Sequence, residues 1–549
     1  MQDEFTTYYS GFLDGSYDCV DRIVLNAYCK IAQSPGGFRT MWRQIYGSDN
    51  NLNNAHLIRM AGRLSRRIHA YTKKRNIPVI VCRQGERKHE LAEQYIPKDP
   101  NVVGVFLILI NRAPASVWDV QCSKRGVIRN ITKKNPLPYV NHYSFHIIDP
   151  EWGHITIRLC GHAPFNAQII LNGHEYIERK ANKTDINFTK VGNCFTNISN
   201  APRLTDIADT LCSEDTIGRL KQVCERWIYS ACLCFALDLS EQERCGFRYS
   251  YSVYQGEYSR NMLFTRGTEL DQIFHGVINR TYDKLNLKVL KTILGTKNRP
   301  HHRAGKKPTR QEIVVERPTY NMTVFKIHFG KITAKCYTKG ERVLRTEVII
   351  HNARKLPCGC SLEKFPKIIS HLKGILNRFL DALHCMDISI ISDARLDELP
   401  CPTHIGNRCI SGIDVNKPRM RRVIKGIMEL SVAPYGFTAS DLADKVNAIS
   451  CVESLLYTSR MASYDLQKLR GKNIVHKKGR GRRYETVPDG LKALSALLVL
   501  REMVIKPVLA GAGKLNRGPR PKNLSFVDIH YRNLQQEMYN LFQTLKIAA

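Results

Sequence analysis

The side chains with the widest chemical reach are imidazoles and carboxylates: His142, His146, Asp149, His154 and His162 fall within 21 positions of one another. Imidazole and carboxylate together suit a divalent ion that activates water for phosphodiester cleavage. Asp18, Asp21, Asp149, Glu151 and Glu347 are further carboxylates from which a two-metal nuclease centre could be drawn, with Asp21, Asp149 and Glu347 the candidate catalytic acids and Mg²⁺ or Mn²⁺ the cofactor. Two considerations weigh against a metal. His142 and His146 are four apart in a strand-like run, more than about 12 Å, which is too far for one ion. Nothing in the spacing of the acids requires them to meet, and surface or capping acids are the plainer reading. A polar sheet surface that faces DNA or RNA accounts for the histidines better. Cys358-Gly-Cys360, with Cys385, Cys401 and Cys409 beyond, lacks the usual C-x2-C spacing and a partner pair for zinc. The glycines of SPGGFR, Ser34 to Arg39, suit either an anion nest or a plain loop. No P-loop, dinucleotide fingerprint, H-E-x-x-H or nucleophile elbow occurs, which disfavours ATP- or nicotinamide-dependent chemistry.

The partner is indicated by charge. The 549 residues carry 83 Lys plus Arg against 49 Asp plus Glu, a formal net charge of +34. Such an excess favours phosphate backbones or anionic membrane surfaces. The apolar runs are too short for a membrane span, VVGVFLILI from Val102 to Ile110 reading as a buried strand, so DNA and/or RNA is the expected partner and no membrane is expected. Binding itself would need no cofactor. The N-terminal residues have neither a basic n-region nor an apolar h-region, and the expected location is cytoplasmic, nucleoid-associated or in a ribonucleoprotein. The 18 cysteines are scattered over the first 451 positions and read as reduced core thiols.

The elements that would position these groups point to an α+β, multidomain chain. An N-terminal α/β or α+β domain is expected over 1–204, a helical region over 205–294, a basic loop or linker over 295–311, a basic sheet plus helix over 312–415, a winged-helix domain over 416–511 and a C-terminal tail and helix over 512–549. Residues 54–76 have apolar positions at three- and four-residue spacing and a basic outer face, an amphipathic helix. PVIVC, KHELAEQYI and VVGVFLILI then alternate as β-α-β. HYSFHIID and HITIRLC, separated by PEWG, predict a hairpin in which Ile147 faces Ile155, Phe145 faces Ile157 and Tyr143 faces Leu159. His142, Ser144, His146, Thr156 and Arg158 then share the polar face. LTDIADTL and TIGRLKQVCERWIYSACLCF read as helices. MTVFKIHF, ITAKCYT and VLRTEVII read as basic strands, followed by a helix over 365–383.

From Arg419 onward the pattern is short helices with short connections: RMRRVIKGIMEL, then FTASDLADKV capped by Thr438, then a third helix over about 452–469. The third keeps Thr458, Ser459, Arg460, Ser463, Tyr464 and Lys468 outward, the mixture of hydroxyls and cations that suits a major groove. NIVHKKGRGRRYETV follows as two strands about Gly479 and Gly481, with Lys477, Lys478, Arg480, Arg482 and Arg483 at the tip. In this order of elements the segment resembles winged-helix regulators of the MarR and ArsR type. The resemblance implies that Ser459, Arg460, Ser463, Tyr464 and Lys468 enter the groove and that Arg480, Arg482 and Arg483 make the wing contact. FGKITAKCYTKGERVLRTEVII is similar to a segment of phage and plasmid replication initiators at Tyr337, Lys339, Arg345 and Glu347, and with YDCVDRIVLNAY it resembles bacterial mobile-element-like families. Lys335, Lys339 and Arg345 become candidate nucleic-acid contacts on that ground. Thr338 stands where those initiators carry an Asp, and no H-x-H metal element is found, so their catalytic step does not carry over. Two readings follow: a nucleic-acid-binding protein of a bacterial or phage mobile element, or a metal-dependent nuclease, recombinase or replication initiator.

Overall fold

The computed structural model describes residues 3–285, 293–294, 312–317, 324–329, 331–356, 358–387, 397–406, 408–449, 456–479 and 481–501, apart from 84, 100, 101 and 125, with short helical stretches between 529 and 540. The basic loop expected at 295–311, Arg480 and most of the 512–549 tail lie outside the described residues. The chain divides into two compact units, a sheet unit of Ser10–Leu270 with Lys291–Leu376, and a helical unit of Met1–Tyr9, Asp271–Leu290 and Asn377–Ala549.

The sheet unit is built on one mixed sheet. Its strands, in chain order, are β1 Leu13–Cys29, β2 Val79–Val81, β3 Gly104–Pro114, β4 Tyr139–Asp149, β5 Gly153–Cys160, β6 Ala167–Asn172, β7 Tyr249–Phe264, β8 Ile293–Leu294, β9 Glu312–Arg317, β10 Val324–Phe329, β11 Ile332–Lys339 and β12 Val343–Ile350. They lie in the order β8-β9-β10-β11-β12-β7-β1-β6-β5-β4-β3-β2. Pairing is antiparallel except for β2 with β3 and β8 with β9. The β-α-β alternation expected after the helix at 54–76 is therefore present, with Val79 opposite Ile108. The hairpin register also matches, with Ile147 opposite Ile155, Phe145 opposite Ile157 and Tyr143 opposite Leu159.

The expected boundaries at 204, 294 and 311 do not divide this unit. Strands β11 and β12, expected in a separate basic sheet, pair onto β7, which in turn pairs along nearly the whole of β1. The physical reason lies in VLRTEVII, all eight residues of which are buried: a strand covered on both faces must be interior to a larger sheet.

The apolar face is covered by helices. Helix α1 is Pro35–Tyr46, α2 Asn54–Arg75, α3 Gly173–Ala181, α4 Ala201–Asp209, α5 Asp215–Trp227 and α6 Phe365–Asp387, of which residues 365–376 belong to this unit. In α2 the inward stripe is Leu57, Met60, Leu64, Ile68 and Thr72, at the expected spacing. Asn53 accepts a hydrogen bond from the His56 N–H to cap its start, and Asn76, at φ 55°, terminates it. Phe145 on β4 stacks on Phe235 with centroids 5.9 Å apart, and Tyr71 of α2 packs on the same ring at 5.2 Å. The SPGGFR segment is neither a loop nor an open nest. Ser34 caps α1 by accepting from the Gly37 N–H at 3.2 Å, and a Cβ on Gly37 would fall 2.2 Å from the Ile31 carbonyl oxygen.

In the helical unit, α7 Pro418–Leu430, α8 Ala439–Ile449, α9 Ser459–Gly471 and α10 Pro488–Val499 surround a hairpin of Val475–Lys477 and Tyr484–Thr486. Thr438 caps α8 as expected: its Oγ1 accepts from the Asp441 N–H at 3.2 Å, while Asp441 Oδ2 accepts from the Thr438 N–H at 2.8 Å. Phe437 bridges to Tyr484 through backbone hydrogen bonds of 2.9 and 2.7 Å, adding a third short segment beside the hairpin. The third helix begins at Ser459 rather than near 452, because Thr458 is its N-cap and accepts from the Met461 N–H. Thr458 is therefore a capping residue and not an outward-facing helical one.

Candidate nucleic-acid interface and a buried charge cluster

Two places in the chain gather the residues that the sequence singles out. The first is the outer side of α9 and its neighbouring hairpin. Ser459 and Arg460 are exposed in the first turn, and Tyr464 is 47% exposed at mid-helix. Ser463 and Lys468 are half-buried, and the Lys468 ammonium lies 4.9 Å from the centre of the Tyr464 ring. The Tyr464 hydroxyl is 3.3 Å from Ser411 Oγ. The helix turns its acid inward: Asp465 is fully buried and accepts from Arg419 at 3.0 Å and from the Tyr457 hydroxyl at 2.7 Å. Lys477, Lys478, Arg482 and Arg483 are exposed along the hairpin. Lys478 pairs with Glu485 at 2.5 Å and Arg483 donates to the Gly436 carbonyl at 3.1 Å, so these two are steered while Lys477 and Arg482 point to solvent.

The second place lies on the sheet. Strand pairing lines up Cys19, Ser259, Glu347 and Lys335 across β1, β7, β12 and β11, and beside them Tyr17, Asn261, Arg345 and Tyr337. The K-x-Y-x-K and LR-x-E segments thus meet, through the two-residue period of adjacent strands. Arg345 is at the centre. Its Nη2 donates to Asp21 at 2.6 Å, its Nε to Glu347 at 3.2 Å, and its Nη1 to Asn261 at 2.9 Å and to the Asn193 carbonyl at 2.6 Å. Lys335 donates to the other Glu347 oxygen at 2.6 Å and the Tyr337 hydroxyl to Oε2 at 3.0 Å. His174 of α3 places Nδ1 2.7 Å from Asp21 Oδ1. Burial pushes the Asp21 carboxyl up, but the Arg345 guanidinium and His174 outweigh it and hold the acid at about 2. Burial also lowers His174, which is therefore neutral beside the aspartate.

This arrangement corrects several expectations. Arg345, expected at a nucleic-acid surface, is 2% exposed and spends its donors inside the protein. Lys335 is committed to Glu347, whereas Lys339 is half-buried. Asp21 and Glu347 are brought together but with a guanidinium between them, so their charge is neutralised by protein cations. Asp149 is not with them. It is fully buried and ties a turn together, accepting from the Glu151 and Trp152 N–H groups at 2.8 and 2.9 Å and from Arg226 and Trp227 at 2.5 and 2.8 Å. Asp18 is held by Arg260 at 2.7 Å and Tyr258 at 2.9 Å, and Glu151 by Lys180 at 3.4 Å. No open pair of carboxylates forms from these five.

The one trio of potential metal donors among the described residues is Cys19, Asp21 and His174, all buried, with donor atoms within 4.8 Å. Its chemistry reads as hydrogen bonding. Arg345 already occupies the free edge of Asp21, and burial raises the Cys19 thiol well above its usual range, keeping it protonated. Cys358 and Cys360 join no such group, and the Cys385 side chain lies outside the described ones. Of the clustered histidines, His146 and His154 meet across the β4-β5 hairpin with ring nitrogens 3.0 Å apart, while His142 turns Nδ1 to the Val140 carbonyl at 3.2 Å. Burial lowers His146 to about 3 and His142 to about 4, with nearby His154 and Arg158 respectively adding to the effect. Both are neutral at physiological pH.

His174, Ser259 and Asn261 were missed by sequence reasoning. Each sits in an ordinary helix start or strand, and no local pattern marks it. Glu257 was missed as well. It lines a polar groove with His146, His154 and Arg22, and burial together with Glu347 and Asp21 pushes its carboxyl up to about 7. No helix among the described residues is long and apolar enough to cross a membrane. Comparison of the chain with protein-family models, curated proteins and solved structures found no match.

Proposed function

We propose that the protein binds nucleic acid and that its helical unit does so as a winged helix, with α9 entering a groove and the Val475–Thr486 hairpin lying along the flanking phosphates. The observation that carries this reading is the set of exposed cations on the hairpin, Lys477, Lys478, Arg482 and Arg483, beside a helix whose exposed side offers Ser459, Arg460 and Tyr464 and whose one acid, Asp465, is turned inward. Cations at a hairpin tip contribute affinity through release of counterions from phosphates, whereas hydroxyl, guanidinium and phenol groups on a helix can read base edges. The order helix, helix, helix, hairpin, helix, with Phe437 bridging to the hairpin, supports the assignment.

The test is fluorescence anisotropy on the full chain with duplex DNA, single-stranded DNA and RNA over a range of KCl concentrations. Replacing Lys477, Lys478, Arg482 and Arg483 by Ala should weaken binding to all duplexes alike and flatten the slope of log K against log salt by up to about 3 to 4. Tyr464→Ala should change the preference among sequences and leave that slope in place. An unaltered slope in the fourfold variant would remove the hairpin from the interface.

A further inference from the structure

On the polar face of the sheet, Asn26, Gln168, Arg158 and Ser144 form a single row across β1, β6, β5 and β4. Above part of this row is a cavity of about 590 Å³ lined by Asn26, Gln168, Asn166, His142, Arg158 and Arg354, with Tyr28 at its wall. Neither Asp nor Glu lines it. The neighbouring groove of about 1030 Å³, which Arg158 also borders, does carry carboxylates, among them Glu175 and Glu178, which engage Lys190.

Arg158 is the unusual member. It is half-buried, and among the described residues its side chain has no hydrogen bond or ion pair, its Nε being buried without an acceptor. A guanidinium cannot shed its proton to escape burial, and an unpaired buried donor on a charged group is among the costlier features a fold can carry. Lys88 lies close enough to Arg158 for the two charges to oppose each other, and it too has no acid partner among the described residues. Arg354, at the rim, has an exposed side chain. Arg158 therefore stands in the cavity wall as a cation with no anion paired to it among the described residues, and Lys88, in the neighbouring groove, supplies none. The amide side chains are fixed in place, with Gln168 Nε2 donating to Asn26 Oδ1 at 3.0 Å and Gln33 Nε2 to Asn166 Oδ1 at 2.9 Å.

We infer that this cavity binds a nucleotide, the phosphate seated on Arg158 and the base held between the amide wall and Tyr28. The planar fork of Arg158 matches two phosphate oxygens, the absence of carboxylates removes repulsion, and the volume lies within the range that encloses a ligand of this size. Amides offer both donors and acceptors to a base edge, and a phenol ring offers a stacking face. The nucleotide is either free or one unit of a single strand. The inference concerns the sheet unit and does not require the hairpin of the helical unit to touch nucleic acid.

The test is calorimetric titration of the full chain with nucleoside monophosphates, with the matching nucleosides, with citrate as a non-phosphate anion, and with short single-stranded oligonucleotides carrying or lacking a 5′ phosphate. Each titration is repeated with Arg158→Gln and with the fourfold hairpin variant. A nucleoside monophosphate, an oligonucleotide or both should bind at least tenfold more tightly than the nucleoside or citrate. Arg158→Gln should lose at least tenfold, with a melting temperature equal to or above that of the parent because an unpaired buried charge is gone. The hairpin variant should keep this binding. If only oligonucleotides bind with this dependence on Arg158, the source is a strand; if only monophosphates, a free nucleotide. The inference is overturned if no phosphate compound binds at millimolar concentration, if nucleoside or citrate binds equally well, if Arg158→Gln binds like the parent, or if that variant melts lower, as expected of an arginine that serves the fold.

Discussion

Arg345→Met isolates the charge cluster at the centre of the sheet. Methionine matches the unbranched stem of arginine, so the substitution chiefly removes the guanidinium, which leaves Asp21, 1% exposed, and Glu347, 5% exposed, short of a cation. Removing one partner of a buried ion pair typically costs about 3 to 5 kcal/mol, because the remaining charge is neither hydrated nor neutralised. The pH dependence provides an internal check. Asp21 titrates at about 2 in the fold against an ordinary 3.8, equivalent to about 2 kcal/mol of stability. Because the folded value is the lower one, this contribution is complete above about pH 4 and is lost as the pH falls through about 2. Without Arg345 the carboxyl moves upward, so the deficit of the variant should be largest at neutral pH and should narrow in acid. Asp21→Asn combined with Arg345→Met should lose less than the sum of the single losses. Urea unfolding followed by tryptophan fluorescence suits the measurement, since Trp42, Trp118, Trp152 and Trp227 all belong to the sheet unit. A loss below about 1 kcal/mol, or strict additivity in the double variant, would refute the reasoning.

Three further outcomes are expected. His146 is held neutral, with a folded value of about 3 against an ordinary 6.5, so stability should fall as the pH drops below 6.5; at pH 5 its share is about 2 kcal/mol, and His146→Gln should flatten the pH profile of the fluorescence-monitored transition. Gly37→Ala should cost about 1 to 3 kcal/mol of unfolding free energy, read as a lower urea midpoint, through the clash with the Ile31 carbonyl, while Gly36→Ala, where an added Cβ meets nothing within 4 Å, should be near neutral, and equal effects would contradict the packing at α1. Asp465→Ala should cost the helical unit about 2 kcal/mol by stranding Tyr457 and Arg419, seen as loss of ellipticity at a lower temperature with the tryptophan transition unmoved.

Much of the local structure was legible in the sequence, because it depends on short-range period. The β4-β5 register, the inward stripe of α2 and the capping box at Thr438 follow from alternation, 3.6-residue spacing and one side-chain oxygen. The K-x-Y-x-K pattern likewise places Lys335, Tyr337 and Lys339 on one face. What it does not disclose is whether that face is solvent or core. The answer depends on the pairing of β12 with β7 and of β7 with β1, contacts between residues 80 to 251 positions apart that leave no local mark. For the same reason Arg345 is recognisable as important while its role, neutralising Asp21 and Glu347 rather than phosphate, is not. Arg158 was placed on the correct face, but its lack of an acid partner depends on every strand around it.

The position of β1 also has a bearing on how the protein is made. This 17-residue strand leaves the ribosome well before its longest partner, β7, which follows roughly 220 residues later. At about 5 to 20 residues per second, the interval is on the order of 10 to 45 seconds. Throughout it, one edge of a long strand with a strongly apolar face has no partner, the situation in which edges pair with the wrong chain. Nascent chains of this protein should therefore be clients of ribosome-associated chaperones until residue 264 has emerged, and expression should benefit from slower initiation more than from a stronger promoter.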